Sequence, residues 1–354
     1  MDNIDQANKA DFGFQWHITD RCNLRCSHCY QEDYSGSNEL GLDGLKEIAD
    51  EIIITLTKWG KKGDIAITGG EPLLKEEVFP LINYLESSDE IASLDILSNG
   101  TLINESIVGQ IRDLKKIRCV QVSLDGAFTK SNDSIRGEGS FEKAVEGIRL
   151  LRKSGISVNI MFTLQRRNIK DIPSIIDLAV AEGISSLTIE RFVPTGSGAK
   201  INNALLSPEE IKKAFGYISE RAEQEINRNG LTSISRSRPL WVMCNRNTNF
   251  LGADMYNKDT AGGICSIGFD GLCILPDATI LGCRRLPIPI GNLRRDSLLN
   301  IWHTSALLYE IADKRNLKGK CNSCEHLLQC SGCRAMAYAC TGDYLAEDPQ
   351  CWKQ

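Results

Sequence analysis

The chain has 354 residues, of which 42% are hydrophobic and 25% are charged. A chain of this length and composition can bury a large core, which excludes intrinsic disorder and collagen-like structure. The formal net charge is only −5, with 41 Lys and Arg against 46 Asp and Glu, so no chain-wide attraction to nucleic acid or to a membrane is expected. The apolar runs are too short to cross a bilayer and residues 1–11 have no apolar signal core. We therefore expect a cytoplasmic protein.

From residue 13 to about residue 192, β-rich runs alternate with amphipathic helical stretches. The predicted strands are Phe14–Thr19, Asp64–Thr68, Leu94–Leu97, Ile117–Leu124, Ser157–Thr163 and Ser186–Glu190. The predicted helices are Asp43–Trp59, Lys75–Leu85, Glu105–Leu114, Phe141–Lys153 and Ile172–Ala181. This alternation predicts right-handed crossovers and a parallel sheet, with functional side chains at the carboxyl ends of the strands.

The pattern changes after residue 192. Ser207-Pro208-Glu209-Glu210 is a capping box that begins a long helix ending near Arg228. Residues 231–263 are weakly periodic and are interpreted as a bridging segment, and a cysteine-rich part begins at Cys265. The sequence therefore predicts three parts, residues 1–200, 201–264 and 265–354.

The fourteen cysteines are clustered rather than dispersed, which favours metal or iron–sulfur ligation over disulfides in a chain without a signal peptide. Three lie near the N-terminus (Cys22, Cys26, Cys29), and nine lie in the last quarter (Cys265, Cys273, Cys283, Cys321, Cys324, Cys330, Cys333, Cys340, Cys351). Only Cys119 and Cys244 fall between these groups. Cys119 lies within an apolar strand and is predicted to belong to the core.

Two motifs follow the first two predicted strands. Cys22, Cys26 and Cys29 form CxxxCxxC, and three thiolates on one short loop can hold three irons of a cubane while the fourth iron has no protein ligand. A zinc site is the alternative, although His28 lies inside the loop, where it cannot easily complete a tetrahedron. The second strand ends in Gly69-Gly70-Glu71-Pro72, where glycines permit close backbone approach and Glu71 can accept hydrogen bonds from an ammonium group.

Together these motifs resemble those of the radical S-adenosylmethionine (SAM) enzymes, over about residues 13 to 200. The resemblance implies an α/β fold, a partial (β/α)6 TIM-like barrel, and a [4Fe–4S] cluster that binds SAM through its amino and carboxylate groups. It also implies reductive cleavage of SAM to methionine and a 5′-deoxyadenosyl radical, which abstracts a hydrogen atom from the substrate. A flavodoxin or ferredoxin would supply the electron.

The resemblance also implies a set of SAM contacts. The Gly-Gly-Glu-Pro motif (Gly69, Gly70, Glu71, Pro72) would hold the methionine amino group, and His28 occupies a position near the adenine. Residues at the ends of the third and fourth strands would contact the ribose and the carboxylate, and Arg136 resembles the carboxylate partner; the strand-end residues are Ser98, Asn99, Ser123 and Asp125. From the residues alone, Asn-Gly and Asp-Gly are also common turns, and Arg136 is equally explained as a surface cation.

The C-terminal cysteines resemble the SPASM extension, which carries auxiliary iron–sulfur clusters, over about residues 265 to 351. The resemblance implies one cluster held by Cys321, Cys324, Cys330 and Cys351, and another held by Cys265, Cys283 and Cys333. The fourth ligand of the second set is left among Cys244, Cys273 and Cys340, and one cluster could be open to substrate or of the two-iron type. From spacing alone, a zinc ribbon is the alternative.

Two substrate classes follow from this resemblance. The first, which is the one we expect, is a ribosomally made peptide that acquires a crosslink, a thioether or an epimerised residue. The other is a tetrapyrrole or another small molecule, because residues 333–338 and 341–351 look similar to the C-terminal ending of haem-pathway decarboxylases. Arg284 occupies the place where sulfatase-maturing enzymes carry an Asp, which disfavours that activity; with Arg285, Arg294 and Arg295 it would either face an acidic substrate or form a solvated cationic surface.

A hypothesis from a different class is a non-catalytic iron–sulfur electron carrier or redox sensor. It explains the cysteines but leaves Gly69-Gly70-Glu71-Pro72 without a role.

Overall fold

The computed structural model describes residues 11–201, 203–236, 238–244 and 265–353. Six parallel strands lie side by side in chain order at its centre. They are β1 (Phe12–His17), β2 (Gly63–Thr68), β3 (Ile91–Ser98), β4 (Ile117–Ser123), β5 (Val158–Leu164) and β6 (Ser186–Arg191). The predicted parallel sheet is confirmed, and the carboxyl ends of the six strands meet at one edge.

Helices connect these strands and continue after them. They are α1 (Leu42–Trp59), α2 (Val78–Glu86), α3 (Glu105–Arg112), α4 (Thr129–Arg136), α5 (Ser140–Lys153), α6 (Ile172–Ala181), α7 (Pro208–Asn227), α8 (Leu298–Thr304), α9 (Ala306–Ala312) and α10 (Arg334–Thr341). The capping box at the start of α7 is present as predicted. Helix α4 is missing from the sequence prediction because it has a single aliphatic residue, Ile135, and so shows no apolar period. Among the described helices, none is both long and apolar enough to span a membrane.

The sheet extends beyond the six central strands on both sides. Strand β7 (Ser233–Ser235) pairs with β6, and β8 (Gly271–Ile274) pairs in parallel with β1. Strands β9 (Thr279–Cys283) and β10 (Leu286–Asn292) follow β8 as antiparallel neighbours. The cysteine-rich segment therefore continues the sheet of the N-terminal part. The predicted division at residues 200 and 264 stays a prediction.

The two faces of the central strands differ in polarity. Side chains such as Phe12, Phe14 and Trp16 of β1 are buried in the core. The other face carries polar groups, and the thiol of Cys119 on β4 donates a hydrogen bond of 3.3 Å to Asp95 Oδ1 on β3. The prediction that Cys119 belongs to the apolar core is therefore wrong, because strand alternation turns it toward the polar face.

Candidate active site

The loop after β1 carries CxxxCxxC and is clamped from two sides. Within the loop, the Cys29 N–H donates to the Cys26 carbonyl at 3.1 Å. The Ser27 N–H donates to the Ile135 carbonyl of α4 at 2.8 Å, and the Gly198 N–H, from the segment after β6, donates to the Cys29 carbonyl at 3.0 Å. The cysteine loop is therefore positioned by elements that are distant in sequence.

Hydrogen-bond donors surround the sulfur atoms of the loop. Cys22 Sγ accepts from the Leu24 N–H at 3.4 Å and lies 3.9 Å from Asn99 Nδ2. Cys26 Sγ lies 3.9 Å from Arg136 Nη1. Burial raises the pKa of the Cys26 thiol to about 12, although the charge of Arg136 acts in the opposite direction. Donors of this kind stabilise ligating thiolates, and a bound metal would displace the thiol protons.

The Gly69-Gly70 pair at the end of β2 packs directly against the start of the cysteine loop. A Cβ on Gly69 would lie 2.4 Å from the Thr19 carbonyl oxygen, and a Cβ on Gly70 would lie 2.4 Å from the Arg21 carbonyl oxygen. Only glycine permits this approach, because both obstructing atoms belong to the backbone.

Two polar atoms of the cysteine loop are buried without a protein partner. They are Ser27 Oγ and His28 Nδ1, which have no hydrogen-bond partner among the described residues. Buried polar atoms are rarely left unpaired in native proteins, so unpaired ones are expected where a ligand completes the site. The three thiols, the glycine pair and these orphan atoms therefore fit an iron–sulfur cluster with a bound cofactor.

Glu71 is fully buried and joins the ends of β2 and β3. Its Oε1 accepts from the Ser98 hydroxyl at 2.8 Å and from the Leu73 N–H at 3.2 Å, and its Oε2 accepts from the Asn99 N–H at 2.7 Å. Burial raises the pKa of Glu71 to about 7, although these hydrogen bonds act in the opposite direction. Three protein donors already use this carboxylate, so its main visible role is to position Ser98 and Asn99. The predicted contact between Glu71 and an ammonium group stays a prediction.

His28 of the cysteine loop contacts Asp125, which also pairs with Arg136; all three are predicted cofactor contacts. Asp125 Oδ2 is 2.8 Å from Arg136 Nε and 3.1 Å from His28 Nε2. Burial alone would raise the pKa of Asp125, but the charges of Arg136 and His28 outweigh it and lower the pKa to about 2. Arg136 is therefore a buried ion-pair partner, and its alternative role as a surface cation is wrong. Ser123, the last residue of β4, lies at the same edge of the sheet.

Two residues that sequence reasoning missed hold this edge together. Asn168 is fully buried and donates through Nδ2 to the carbonyls of Asp125, at 3.0 Å, and Thr163, at 2.9 Å. Glu39 accepts from the Asp20 N–H at 2.7 Å and forms an ion pair of 3.3 Å with buried Lys75. Neither residue belongs to a local motif, so no signal in the sequence could have identified it.

A cavity of about 60 Å³ lies between β6 and the cysteine-rich segment. Cys265, Cys283 and Cys333 all line it, together with the half-buried ion pair Glu190–Arg285. Among the cavity-lining residues there is no Cys244, Cys273 or Cys340, the three candidates for a fourth ligand. Cys273 is buried in β8, and Cys340 is exposed on α10. The structure thus brings three of the predicted ligands together.

A second cavity, of about 280 Å³, is lined by Cys321, Cys324, Cys330 and Cys351. Cys330 Sγ accepts from the Leu240 N–H at 3.2 Å, and Cys324 Sγ accepts from the His326 N–H at 3.4 Å. Fully buried Arg334 has its Nε and Nη2 atoms unpaired among the described residues. A Cβ on Gly332 would lie 2.6 Å from Arg334 Nη2 and 3.4 Å from Cys321 Sγ, so the guanidinium lies near one of these four thiols. A buried, partly unpaired guanidinium there fits an anionic cluster. The assignment of all ten cysteines as ligands stays a prediction.

In the part of the chain that the structure describes, no three His, Cys, Asp or Glu side chains are grouped so as to hold a single metal ion. A cubane differs from a single ion because each thiolate binds a different iron.

Comparison with known proteins identifies the family. A model of the radical SAM superfamily matches residues 16–179, and a model of an iron-sulfur cluster-binding domain, SPASM, matches residues 265–325. An AdoMet-dependent heme synthase of Methanosarcina barkeri is 30% identical over 341 residues, 95% of each chain. An AdoMet-dependent heme synthase of Nitratidesulfovibrio vulgaris is 29% identical, over 95% of this chain and 90% of that protein.

The fold is also similar to that of a solved structure. SuiB of Streptococcus suis bound to its precursor peptide SuiA superposes with a TM-score of 0.74 at 18% identity, over 99% of this chain and 78% of SuiB. The partial-barrel fold, the iron–sulfur clusters and SAM as cofactor are therefore confirmed, and the hypothesis of a non-catalytic electron carrier is wrong. The chain belongs to the radical SAM superfamily and is an enzyme with a C-terminal SPASM iron–sulfur domain.

Proposed function

We propose that this enzyme acts on a tetrapyrrole that carries propionate side chains, from which it removes a hydrogen atom and a carboxylate group. The observation that carries this proposal is the similarity to AdoMet-dependent heme synthases along 95% of both chains, at 30% identity. That similarity includes both the cysteine loop after β1 and the cysteine-rich segment. Conversion of a propionate to a vinyl group releases one carbon-bound hydrogen atom, carbon dioxide and one electron, so it needs a one-electron acceptor of the iron–sulfur class.

When bound, the cluster and SAM supply a carbon-centred radical that can take the hydrogen atom. The residues of the chain hold the reacting groups and exclude water. Gly69 and Gly70 keep the end of β2 against the cysteine loop. The buried ion pair Asp125–Arg136 holds the Arg136 guanidinium beside Cys26. A low-potential donor such as a flavodoxin or ferredoxin completes the proposed reaction.

A ribosomally made peptide is the second candidate substrate. The observation that favours it is the similarity of the fold to SuiB, whose structure contains the precursor peptide SuiA. The proposed products are then a crosslinked, thioether-containing or epimerised peptide. At 18% identity this similarity concerns the fold, so we rank the peptide below the tetrapyrrole.

The test is an anaerobic reaction of reconstituted protein with SAM, a strong reductant and an iron porphyrin that carries propionates. We expect 5′-deoxyadenosine to form and the porphyrin to lose carbon dioxide, as measured by mass spectrometry. The matched control is the C22A/C26A/C29A variant, which should form neither product. If 5′-deoxyadenosine forms while the porphyrin stays unchanged, the tetrapyrrole proposal is wrong. A mass or stereochemical change in a co-expressed short peptide would then support the peptide.

A further inference from the structure

Arg284 connects the two parts of the molecule that carry cysteines. It directly follows Cys283 at the end of β9, and its guanidinium carbon lies 4.5 Å from the centroid of the Tyr30 ring. Tyr30 in turn directly follows Cys29 of the cysteine loop. The guanidinium therefore lies between the loop of the SAM-binding cluster and one of the auxiliary ligand sets.

The guanidinium of Arg284 has no anionic partner among the described residues. Its Nε is buried and makes no hydrogen bond there, and the guanidinium lies over the Tyr30 ring. The next residue, Arg285, behaves differently, because it donates to the Arg191 carbonyl at 3.3 Å and pairs with Glu190 at 3.3 Å. A partly buried cation without a counter-ion is costly unless a ligand supplies one.

A second buried polar atom without a hydrogen-bond partner in the described part of the chain belongs to His17, which also contacts Tyr30. His17, the last residue of β1, is 2% exposed, and its Nε2 has no partner among the described residues. Its ring meets the Tyr30 ring edge-on, with 5.6 Å between the centroids. The Tyr30 hydroxyl donates to the Gly69 carbonyl at 3.3 Å. Tyr30 therefore contacts both Arg284 and Gly69, and Gly69 belongs to the predicted SAM-binding motif.

None of the other described titratable groups near Arg284 forms an ion pair with it. Its charge acts on Asp20, His17, Tyr30 and Cys273. Of these, only Asp20 is a carboxylate, and it forms no ion pair within 4 Å with any described residue. No described residue pairs with Arg284, so we expect an anionic ligand beside it.

The chemistry of the guanidinium indicates which anion it takes. Arg presents a planar fork of donors that matches a carboxylate, and stacking on an aromatic ring holds that plane in one orientation. We propose that Arg284 binds a carboxylate of the substrate in the space between the cysteine loop and the turn after β9. This inference rests on the proposed function, which gives the substrate propionate groups.

The test compares R284Q and R284K with the control R294Q. Arg294 is an exposed residue after β10 that donates a hydrogen bond of 3.0 Å to Asn292 Oδ1 through its backbone N–H. Each protein is titrated, by absorbance, with an iron porphyrin bearing propionates and with a matched iron porphyrin bearing ethyl groups in their place. SAM binding and 5′-deoxyadenosine formation without substrate are measured in parallel.

We expect R284Q to lose affinity for the propionate porphyrin by about 10- to 100-fold, as for a charged hydrogen bond worth about 1.5–3 kcal/mol. R284K keeps the charge without the fork and should lie between R284Q and wild type. R294Q should match wild type. Binding of the ethyl porphyrin and of SAM should be unchanged in all three.

Three results would overturn the proposal. An equal loss of affinity for both porphyrins would mean that Arg284 only packs against the surrounding structure. Loss of SAM binding would mean that it holds the SAM carboxylate. An unchanged affinity of R284Q for the propionate porphyrin would show that Arg284 does not take part in substrate recognition. If wild-type protein binds neither porphyrin, the proposed function is wrong instead. Carboxylate binding by Arg284 is then tested by equilibrium dialysis with succinate. Wild-type protein should bind succinate and R284Q should not. Equal binding by the two proteins would contradict the inference.

Discussion

At the residue scale, the motifs with local chemistry were predictable and their surroundings were not. CxxxCxxC and Gly69-Gly70-Glu71-Pro72 can be identified because each function needs adjacent residue types. The hydrogen bonds from Ser98 and Asn99 to Glu71 could not be predicted, because the partners lie 27 and 28 residues away. The same holds for Arg284 and Tyr30, which the fold brings together from opposite ends of the sequence.

Gly70→Ala tests the close packing at the cysteine loop. The new Cβ would lie 2.4 Å from the Arg21 carbonyl and 2.6 Å from the Asp20 carbonyl, so the loop must shift. We expect lower iron content of the N-terminal cluster and weaker SAM binding, measured by iron analysis and equilibrium dialysis.

The matched control for this prediction is Gly109→Ala in helix α3, where a Cβ would meet nothing within 4 Å. Alanine should stabilise the helix by about 1 kcal/mol, and iron and SAM binding should stay unchanged. Normal SAM binding by Gly70→Ala would contradict the role given to the glycine pair.

At the scale of elements, the strand–helix order was predictable from periodicity, whereas the contacts between strand ends were not. Asn168 shows this, since it connects the ends of β4 and β5 from a loop without any motif. The pairing of β8 with β1 could not be predicted either, because about 250 residues separate the two strands in the sequence.

Asn168→Ala should destabilise the protein by about 1–3 kcal/mol for each buried group left unpaired. The groups affected are the carbonyls of Asp125 and Thr163 and the Gln165 N–H, which donates to Asn168 Oδ1 at 2.8 Å. Urea denaturation of the cluster-free protein measures the change. Asn227→Ala, at the exposed end of α7, is the control and should change stability by at most about 0.5 kcal/mol. Equal effects of the two substitutions would show that Asn168 does not hold the strand ends.

At the scale of the whole molecule, one buried ion pair joins the barrel to the C-terminal segment. Arg191, at the end of β6, pairs with Asp348 at 2.7 Å, and the two are 7% and 0% exposed. Asp348 also accepts from the Cys333 N–H at 2.8 Å. The local sequence does not reveal this pair, because the two residues lie 157 positions apart.

Arg191→Met leaves Asp348 buried without its counter-ion, and such a loss costs about 3–5 kcal/mol. Burial would raise the pKa of Asp348, but Arg191 outweighs it and the pKa is lowered. The pair therefore stabilises the fold above the usual pKa of a carboxyl group and loses that effect as the pH falls below it. We expect Arg191→Met to lower the urea midpoint at pH 7 and to flatten this acid dependence.

Two further variants make this last prediction specific. Arg191→Met with Asp348→Asn should recover part of the stability, because Asn can still accept from the Cys333 N–H while no unpaired charge remains. Arg149→Met breaks an ion pair with Glu182 in which Arg149 is 63% exposed, and it should cost at most about 1 kcal/mol. Iron analysis should show that Arg191→Met loses auxiliary iron while the cysteine loop after β1 keeps its own. Uniform loss of iron would mean instead that the pair supports the entire fold, so that both cysteine-rich regions depend on it equally.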